Sequence, residues 1–142
     1  METFEVSTRS RTEMIDITQH VAGCVRKAGA REGLCTVWVP HTTAAVTVNE
    51  GADPSVRRDV LDALNRLVPL EAGYSHAEGN SAAHIKSSLV GVSLSIPIAN
   101  GSLLMGTWQS VFFCEFDGPR RRRVHVTVSE QGPLPASRRP GV

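Results

Sequence analysis

The chain of 142 residues has the common size of one domain, and its 41% hydrophobic and 20% charged residues exclude an intrinsically disordered protein. The formal net charge is +1 and the basic residues are scattered except at 120–123, so no broad electropositive surface and no nucleic-acid partner is expected. No stretch approaches the roughly 20 apolar residues of a membrane span, so we expect no membrane partner and a cytoplasmic location.

Alternating apolar residues predict strands in the first third of the chain. They occur in "TFEVST" and in "LCTVWVPHTTAAVTVNE", and we expect the second segment to form a hairpin-like pair of strands. Between these two segments, "DITQHVAGCVRKAGA" has apolar residues at helical spacing. Asp16 or Thr18 is predicted to cap the start of this helix, and Gly29 or Gly33 to end it.

A second helix has clearer boundaries. Asp53 is a good N-cap, Pro54 suits the first helical position, and Pro69 stops the helix. The residues expected to form its buried stripe are Val56, Val60, Leu64 and Leu67. After a polar loop, the spacing of apolar residues predicts a short third helix near 81–90.

The last third has the period-two pattern of strands, in "VSLSIPI", "TWQSVFFCEF" and "RRVHVTVSE". The sum is an α+β fold with a mostly antiparallel, barrel-like sheet, two main helices and a short third helix. We expect one domain over residues 1–130. Residues 131–142 contain three prolines and no apolar periodicity, which predicts a flexible C-terminal tail.

Three histidines stand at the ends of predicted elements. His41 directly follows a strand, His76 precedes a glycine turn, and His84 lies in the first turn of the short helix. Three imidazoles with an open fourth position form a common zinc site, so these histidines are predicted to converge and hold zinc or another divalent metal. Their spacing is not diagnostic, and a solvated polar turn is the alternative interpretation of "HAEGNSAAHIK".

The same segment also predicts an anion site as a competing chemistry. The start of the short helix can point free backbone N–H groups at a phosphate, with Lys86 adding a positive charge and Asn80 or Ser81 a further donor. Arg120, after "DGP", can hold a phosphate or carboxylate bidentately. The simpler alternatives are that Asn80 or Ser81 is only an N-cap and that Arg120 belongs to a charged turn.

Polar residues on otherwise apolar strands are further candidates. Asn49 and Glu50 end one strand, while Gln109 and Glu115 share the face opposite Trp108 on another. Glu50 or Glu115 is expected to orient a histidine or to act as a general base. A solvent-facing position is equally open for Glu115.

Several blocks of the sequence together resemble a known family. They are "HTTAAVTVNE", "DPSVRRDVLDALNRLVP" and "HAEGNSAAHIKSSLVGVSLSIPIANGSLLMGTWQSVFFCEFDGPRRRRV". From about residue 4 to residue 130 the chain closely resembles the YjbQ family, also called UPF0047 or the secondary thiamine-phosphate synthase enzyme family. The resemblance implies a compact α+β fold that assembles as a homotrimer, with a polar pocket near subunit contacts. The motif residues that it assigns to this pocket are His41, Asn49, Glu50, His76, Glu78, Asn80, His84, Lys86, Trp108, Gln109, Glu115, Asp117 and Arg120.

The activity associated with the family is a secondary, weak synthesis of thiamine phosphate, which joins hydroxymethylpyrimidine diphosphate to a thiazole phosphate with loss of diphosphate. Mg²⁺ or cationic side chains would stabilise the departing diphosphate. We therefore expect a transferase of this kind or, alternatively, a non-catalytic protein that binds a phosphorylated small molecule, or a zinc-dependent hydrolase. The predicted substrate-binding residues are Asn49, Asn80, Lys86, Gln109 and Arg120. The predicted catalytic residues are Glu50, Glu115 and Lys86.

Overall fold

The computed structural model describes residues 1–132, which contain eight strands and three helices. In chain order they are β1 (Glu2–Ser7), β2 (Glu13–Asp16), α1 (Thr18–Ala28), β3 (Gly33–Trp38), β4 (Ala44–Glu50), α2 (Pro54–Leu67), α3 (Ser81–Val90), β5 (Ser93–Ala99), β6 (Ser102–Leu103), β7 (Gln109–Glu115) and β8 (Arg121–Glu130). The α+β prediction is confirmed. The tail predicted to be flexible lies, from residue 133 onward, outside the described residues.

The strands form two antiparallel sheets that together curl into a half-barrel. The order is β1-β8-β3-β5-β6 in the larger sheet and β2-β7-β4 in the smaller. The predicted hairpin of β3 and β4 is wrong, because β3 pairs with β5 and β8 whereas β4 pairs with β7. Val37 of β3 and Val46 of β4 nevertheless point into one core. Alternation in the sequence cannot distinguish strands that pair from strands that face each other.

The main core lies between the two sheets. Val37 of β3, Val126 of β8 and Phe113 of β7 are each at most 1% exposed within it. Val21 and Val25 of α1 pack into the same cluster, so α1 closes the core as its helical spacing predicted.

β7 is buried on both faces, which explains its continuous apolar run. Val111 and Phe113 face the main core, whereas Phe112 and Cys114 face a second cluster. Side chains of α2 and α3, among them Ala83, cover that second cluster. The smaller sheet is therefore the middle layer of the molecule, a position in which a strand lacks the usual alternation of apolar and polar residues.

The helix ends follow the predicted signals except at the start of α1, where Ile17 and neither Asp16 nor Thr18 occupies the N-cap position. Asp53 caps α2 by accepting a hydrogen bond from the backbone N–H of Ser55 at 2.9 Å, and Gly29 ends α1 with a left-handed φ of 70°. The predicted buried stripe of α2 is wrong at its end, because Leu67 is 75% exposed and no residue of the helix is fully buried. One face of α2 therefore lies only partly against the second cluster.

Among residues 1–132, no helix combines the length and the apolar character that crossing a bilayer requires.

Candidate functional site

Several segments distant in sequence meet where β4 begins, β7 ends and β8 begins. Antiparallel pairing sets Ala44 opposite Glu115, so the residues just before β4 lie beside the chain that leaves β7. The turn after β7 returns directly into β8 at Arg121, and α3 packs against β4. This convergence gathers polar groups from residues 41–43, 78–84 and 115–123.

Glu115 and Arg122 form a buried ion pair at the base of this region, with side chains 0% and 3% exposed. Arg122 Nε donates to Glu115 Oε1 at 2.9 Å, and Arg122 Nη2 donates to Oε2 and, at 2.8 Å, to Thr43 Oγ1. Thr8 Oγ1 donates to Glu115 Oε1 at 2.7 Å. Burial raises the pKa of Glu115, but the hydrogen bonds from Arg122, Thr8 and the backbone N–H of Asp117, together with the charge of Arg122, outweigh burial, and the net pKa is lowered.

The predicted general-base role of Glu115 therefore does not fit its surroundings. Its carboxylate is enclosed and its oxygens already accept hydrogen bonds from Arg122, Thr8 and two backbone N–H groups. A solvent-facing position is equally wrong for it. Glu115 instead fixes the position of Arg122 and of the turn that follows β7.

The start of β8 fixes the tautomer of the His41 ring. His41 Nε2 accepts a hydrogen bond from the backbone N–H of Arg123 at 2.8 Å, so in the neutral ring the proton is on Nδ1. Burial, and then the positive charge of Arg122, lower the pKa of His41. The ring is accordingly neutral near pH 7 and offers one N–H donor.

A cavity of about 360 Å³ lies above this framework, and we call it the polar cavity. Its polar side chains belong to His41, Thr42, Thr43, Glu78, Asn80, His84, Asp117, Arg120 and Arg122. The sequence-predicted residues His41, Asn80, His84 and Arg120 are thus brought together here. The lining contains both acidic and basic side chains. A ligand would therefore be positioned by individual hydrogen-bond donors and acceptors rather than by an electrostatic potential of one sign.

Asp117 links the start of α3 to Arg120. Asn80 Nδ2 donates to Asp117 Oδ2 at 2.9 Å, and Arg120 Nη2 donates to the same oxygen at 3.0 Å. Asn80 occupies the N-cap position, but its side chain makes no capping hydrogen bond. Within residues 1–132 its Oδ1 is buried and has no hydrogen-bond partner. The Asn80 carbonyl oxygen accepts hydrogen bonds from the backbone N–H groups of Ala83 and His84 at 3.0 and 3.4 Å, so the N–H groups of Ser81 and Ala82 are the ones left to water or a ligand.

The three histidines do not form a single metal centre in the described part of one chain. His76 and His84 pack edge to face with ring centroids 5.5 Å apart, but His76 lines a different cavity, beside Tyr74 and Ile85. His41 lines the polar cavity and its Nε2 is engaged by the β8 backbone. Within residues 1–132, no three His, Cys, Asp or Glu side chains are arranged to hold a metal ion.

Asn49, Glu50 and Gln109 lie away from this site. Glu50 pairs with Gln109 at one end of the β4–β7 ladder, whereas Ala44 pairs with Glu115 at the other end. Ala44 and Glu50 are six residue steps apart along β4, or about 20 Å at about 3.3 Å per residue. The three residues line a separate cavity of about 280 Å³ together with Trp108. One chain therefore has two clusters of motif residues.

Lys86 does not reach the polar cavity either. Its side chain is 4% exposed, and Nζ donates to Asn65 Oδ1 of α2 at 2.6 Å. Burial lowers the pKa of this amine. The predicted catalytic and anion-binding roles of Lys86 do not fit this position, which joins α3 to α2.

Sequence reasoning missed the role of Arg122. The arginine run at 120–123 stands out in the sequence only as an exception to otherwise scattered basic residues, although Arg122 continues the alternation of Val124 and Val126 toward the core. That period-two register was the signal that could have placed Arg122 on the buried face.

The protein is an α+β domain with a curled, half-barrel antiparallel sheet, and a cavity lined by histidine and arginine lies at its strand ends. A family model described as "UPF0047 protein YjbQ-like" matches residues 2–131. The chain therefore belongs to the YjbQ/UPF0047 family, as the sequence resemblance implied.

Relatives and solved structures support this assignment across nearly the whole chain. The UPF0047 protein of Methanocaldococcus jannaschii is 47% identical, covering 88% of this chain and 91% of its own. The UPF0047 protein YugU of Bacillus subtilis is 45% identical, and the match covers 90% of this chain and 98% of YugU. A YjbQ/UPF0047 family structure from Clostridium acetobutylicum is 46% identical, covering 91% and 100%, with a TM-score of 0.90. A YbjQ-like protein from Sulfolobus solfataricus is 32% identical, covering 92% and 96%, with a TM-score of 0.89.

Proposed function

We propose that the polar cavity binds the phosphate or diphosphate of a small metabolite and supports a weak thiamine phosphate synthase activity. The observation that carries the proposal is the convergence of Arg120, His84 and Asn80, the N-cap residue of α3, on one cavity. Backbone N–H groups at a helix start and an arginine are suitable donors for phosphate oxygens. The reaction is inferred from the family resemblance, and the binding of the anionic group is inferred from the residues that line the cavity.

Each donor has a distinct part in this proposal. Arg120 is held by Asp117 through Nε and Nη2, and its remaining N–H groups would bind oxygens of the anion. His41 would donate through Nδ1, because Nε2 is already an acceptor. In the transfer, the C–O bond to the diphosphate breaks while the thiazole nitrogen forms the new C–N bond. The donors would stabilise the negative charge of the leaving diphosphate, and Mg²⁺ would enter with that substrate.

The test measures binding and turnover separately. Titration calorimetry with inorganic diphosphate should detect binding to the wild-type chain, and Arg120→Ala should weaken it about tenfold through loss of a charge-assisted donor. Arg58→Ala, on the exposed face of α2, is the matched control and should retain the wild-type affinity. No binding at millimolar diphosphate would contradict the proposal.

Turnover distinguishes the enzyme from a non-catalytic binding protein. Wild-type protein incubated with hydroxymethylpyrimidine diphosphate and thiazole phosphate should slowly form thiamine phosphate, and Arg120→Ala should form less. If diphosphate binds but neither thiamine phosphate nor a hydrolysis product appears, the chain is a phosphometabolite-binding protein. Hydrolysis that chelators abolish would instead favour the zinc-dependent hydrolase.

A divalent metal on the histidines is a second candidate, favoured by the contact between His76 and His84. The two imidazoles suit zinc, whereas Glu78, whose Oε2 lies 3.8 Å from His76 Nε2, does not complete a set of three ligands with them within residues 1–132. The site would need a further ligand from outside these three residues. Elemental analysis tests the idea, because bound zinc should be present in the purified protein and lost in a His76→Ala, His84→Ala double variant.

We also propose the homotrimer that the family resemblance implies. Exposed apolar side chains support it, including Leu67 on α2 and Leu89 on α3, which are 75% and 63% exposed. Light scattering should give a mass near three chains, and a monomer would contradict the proposal. The cytoplasmic location and the absence of a nucleic-acid partner stay predictions.

A further inference from the structure

The cavity of about 280 Å³ at the far end of the β4–β7 ladder has no part in the anion site. We call it the Trp108 cavity, and its lining residues are Val48, Asn49, Glu50, Trp108 and Gln109. None of these described residues is Lys or Arg, so a phosphate would meet the carboxylate of Glu50 without a compensating cation. The cavity therefore suits a ligand of a different chemical class.

The backbone orients the two amide side chains of the Trp108 cavity. Asn49 Oδ1 accepts a hydrogen bond from the backbone N–H of Glu50 at 2.7 Å, and Gln109 Oε1 accepts one from that of Gly106 at 2.8 Å. Because a backbone donor holds each amide oxygen, the NH2 group is the part of each side chain that remains to bind a ligand. The cavity thus has two hydrogen-bond donors whose directions are fixed.

Glu50 supplies a hydrogen-bond acceptor beside these donors. It lies directly opposite Gln109 in the ladder, so the two Cβ atoms are about 4.5–5.5 Å apart. Within residues 1–132 its carboxylate forms no ion pair. A carboxylate next to two NH2 groups matches hydroxyl groups, because a hydroxyl group both donates and accepts hydrogen bonds.

Trp108 gives the same cavity an apolar surface. The residue is 66% exposed, although its backbone is held, since the N–H of Gly51 donates to its carbonyl oxygen at 2.8 Å. Gly51 lets the two segments approach closely, because a Cβ at this position would overlap Ser110 Oγ. An open indole on a fixed backbone favours packing against a flat apolar face. The C–H groups of a sugar ring form such a face between its hydroxyl groups.

We propose that the Trp108 cavity binds an uncharged sugar ring. The C–H face of the ring packs on the indole of Trp108, hydroxyl groups donate to Glu50, and the NH2 groups of Asn49 and Gln109 donate to hydroxyl oxygens. Pockets for larger organic ligands start at about 300 Å³, so the volume of about 280 Å³ suits one ring rather than an oligosaccharide. This site is independent of the anion site and of the function proposed for it.

The fluorescence of Trp108 measures the binding directly. The sequence has two tryptophans, so in a Trp38→Phe protein the emission comes from Trp108 alone. Methyl β-D-galactopyranoside should change this emission with a saturable, millimolar dependence, as expected for a small ligand held by a few hydrogen bonds. Glycerol has hydroxyl groups but no ring face and should change the emission much less.

Variants in the Trp38→Phe protein assign the binding to individual groups. Glu50→Gln should weaken galactoside binding about tenfold, because a charged acceptor is lost. Glu5→Gln, at an exposed position of β1, is the matched control and should retain the affinity. Trp108→Ala should abolish binding in saturation-transfer NMR, whereas Trp108→Phe should keep part of it. Thermal unfolding of each variant verifies that it is folded.

Further outcomes separate this site from the anion site and from other ligand classes. Arg120→Ala should leave galactoside binding unchanged, and a loss of binding in this variant would overturn the assignment to the Trp108 cavity. Unchanged affinity in Glu50→Gln, or an emission change that never saturates, would overturn the proposal. Choline that binds more tightly than the galactoside would overturn it as well, because the indole and Glu50 would then hold an organic cation.

Discussion

The buried carboxylate of Glu115 accepts hydrogen bonds from the guanidinium of Arg122, and the backbone N–H of the following residue, Arg123, holds the ring of His41. Arg122 donates to Glu115 and Thr43, while the backbone N–H of Arg123 donates to His41 Nε2. A structural ion pair is thereby connected to one wall of the polar cavity. The integrity of the fold and the orientation of a candidate ligand donor are therefore coupled.

Glu115→Gln should destabilise the protein by about 3–5 kcal/mol, because it leaves the charge of Arg122 buried without its partner. The measurement is urea denaturation of single and double variants. Glu115→Gln combined with Arg122→Met should cost clearly less than the sum of the two single changes, since no charge remains uncompensated. Additive effects would show that the pair is not coupled.

The lowered pKa of His41 predicts a pH-dependent stability. A histidine with a folded-state pKa below its ordinary 6.5 binds a proton more readily in the unfolded chain. The free energy of unfolding should therefore fall as the pH drops below about 6.5. His41→Gln keeps an acceptor for the Arg123 N–H and does not titrate, so its unfolding free energy should fall less over this range. Identical pH profiles for the two proteins would contradict the assignment. The lowered pKa of Glu115 has a separate effect: the free energy of unfolding should fall further as the pH drops below 4.5, the ordinary pKa of a glutamate.

The sequence predicted the elements of the fold better than their partners. Asp53 and Pro54 mark the start of α2, and Gly29 the end of α1, because capping is a local property. The pairing of β4 with β7 joins residues more than 50 positions apart, and no local signal specifies it. The short strand β2 was not predicted, because its four residues are too few to show an alternating pattern.

The candidate site was predicted in part, through residues at element ends. His41, Asn80, His84 and Arg120 do share one cavity. The prediction for Lys86 does not fit the structure, because this residue lies on the face of α3 that packs against α2. The sequence motif alone does not show which face that is. The separation of Asn49, Glu50 and Gln109 follows from strand direction, which becomes known only when the β4–β7 register is known.

Lys86→Met should change diphosphate affinity by less than about twofold, because a residue outside the cavity rarely alters binding. The variant removes the donor to Asn65 Oδ1 and should lower the unfolding free energy by about 1 kcal/mol. His84→Ala, measured in the same titrations, is the comparison that should lose affinity. A large loss of binding in Lys86→Met with unchanged stability would place the amine in the site after all.

Gly118→Ala should disturb both the fold and the ligand site. A Cβ at Gly118 would lie 2.2 Å from the carbonyl oxygen of Ser10 and 2.8 Å from Glu115 Cγ, so the turn after β7 must shift. We expect a loss of about 1–3 kcal/mol and weaker diphosphate binding, because this turn carries Arg120. Gly23→Ala is the matched control: the added Cβ meets nothing closer than 3.7 Å, and a helical position should gain up to about 1 kcal/mol. Wild-type stability and binding in Gly118→Ala would show that the turn does not position the arginine.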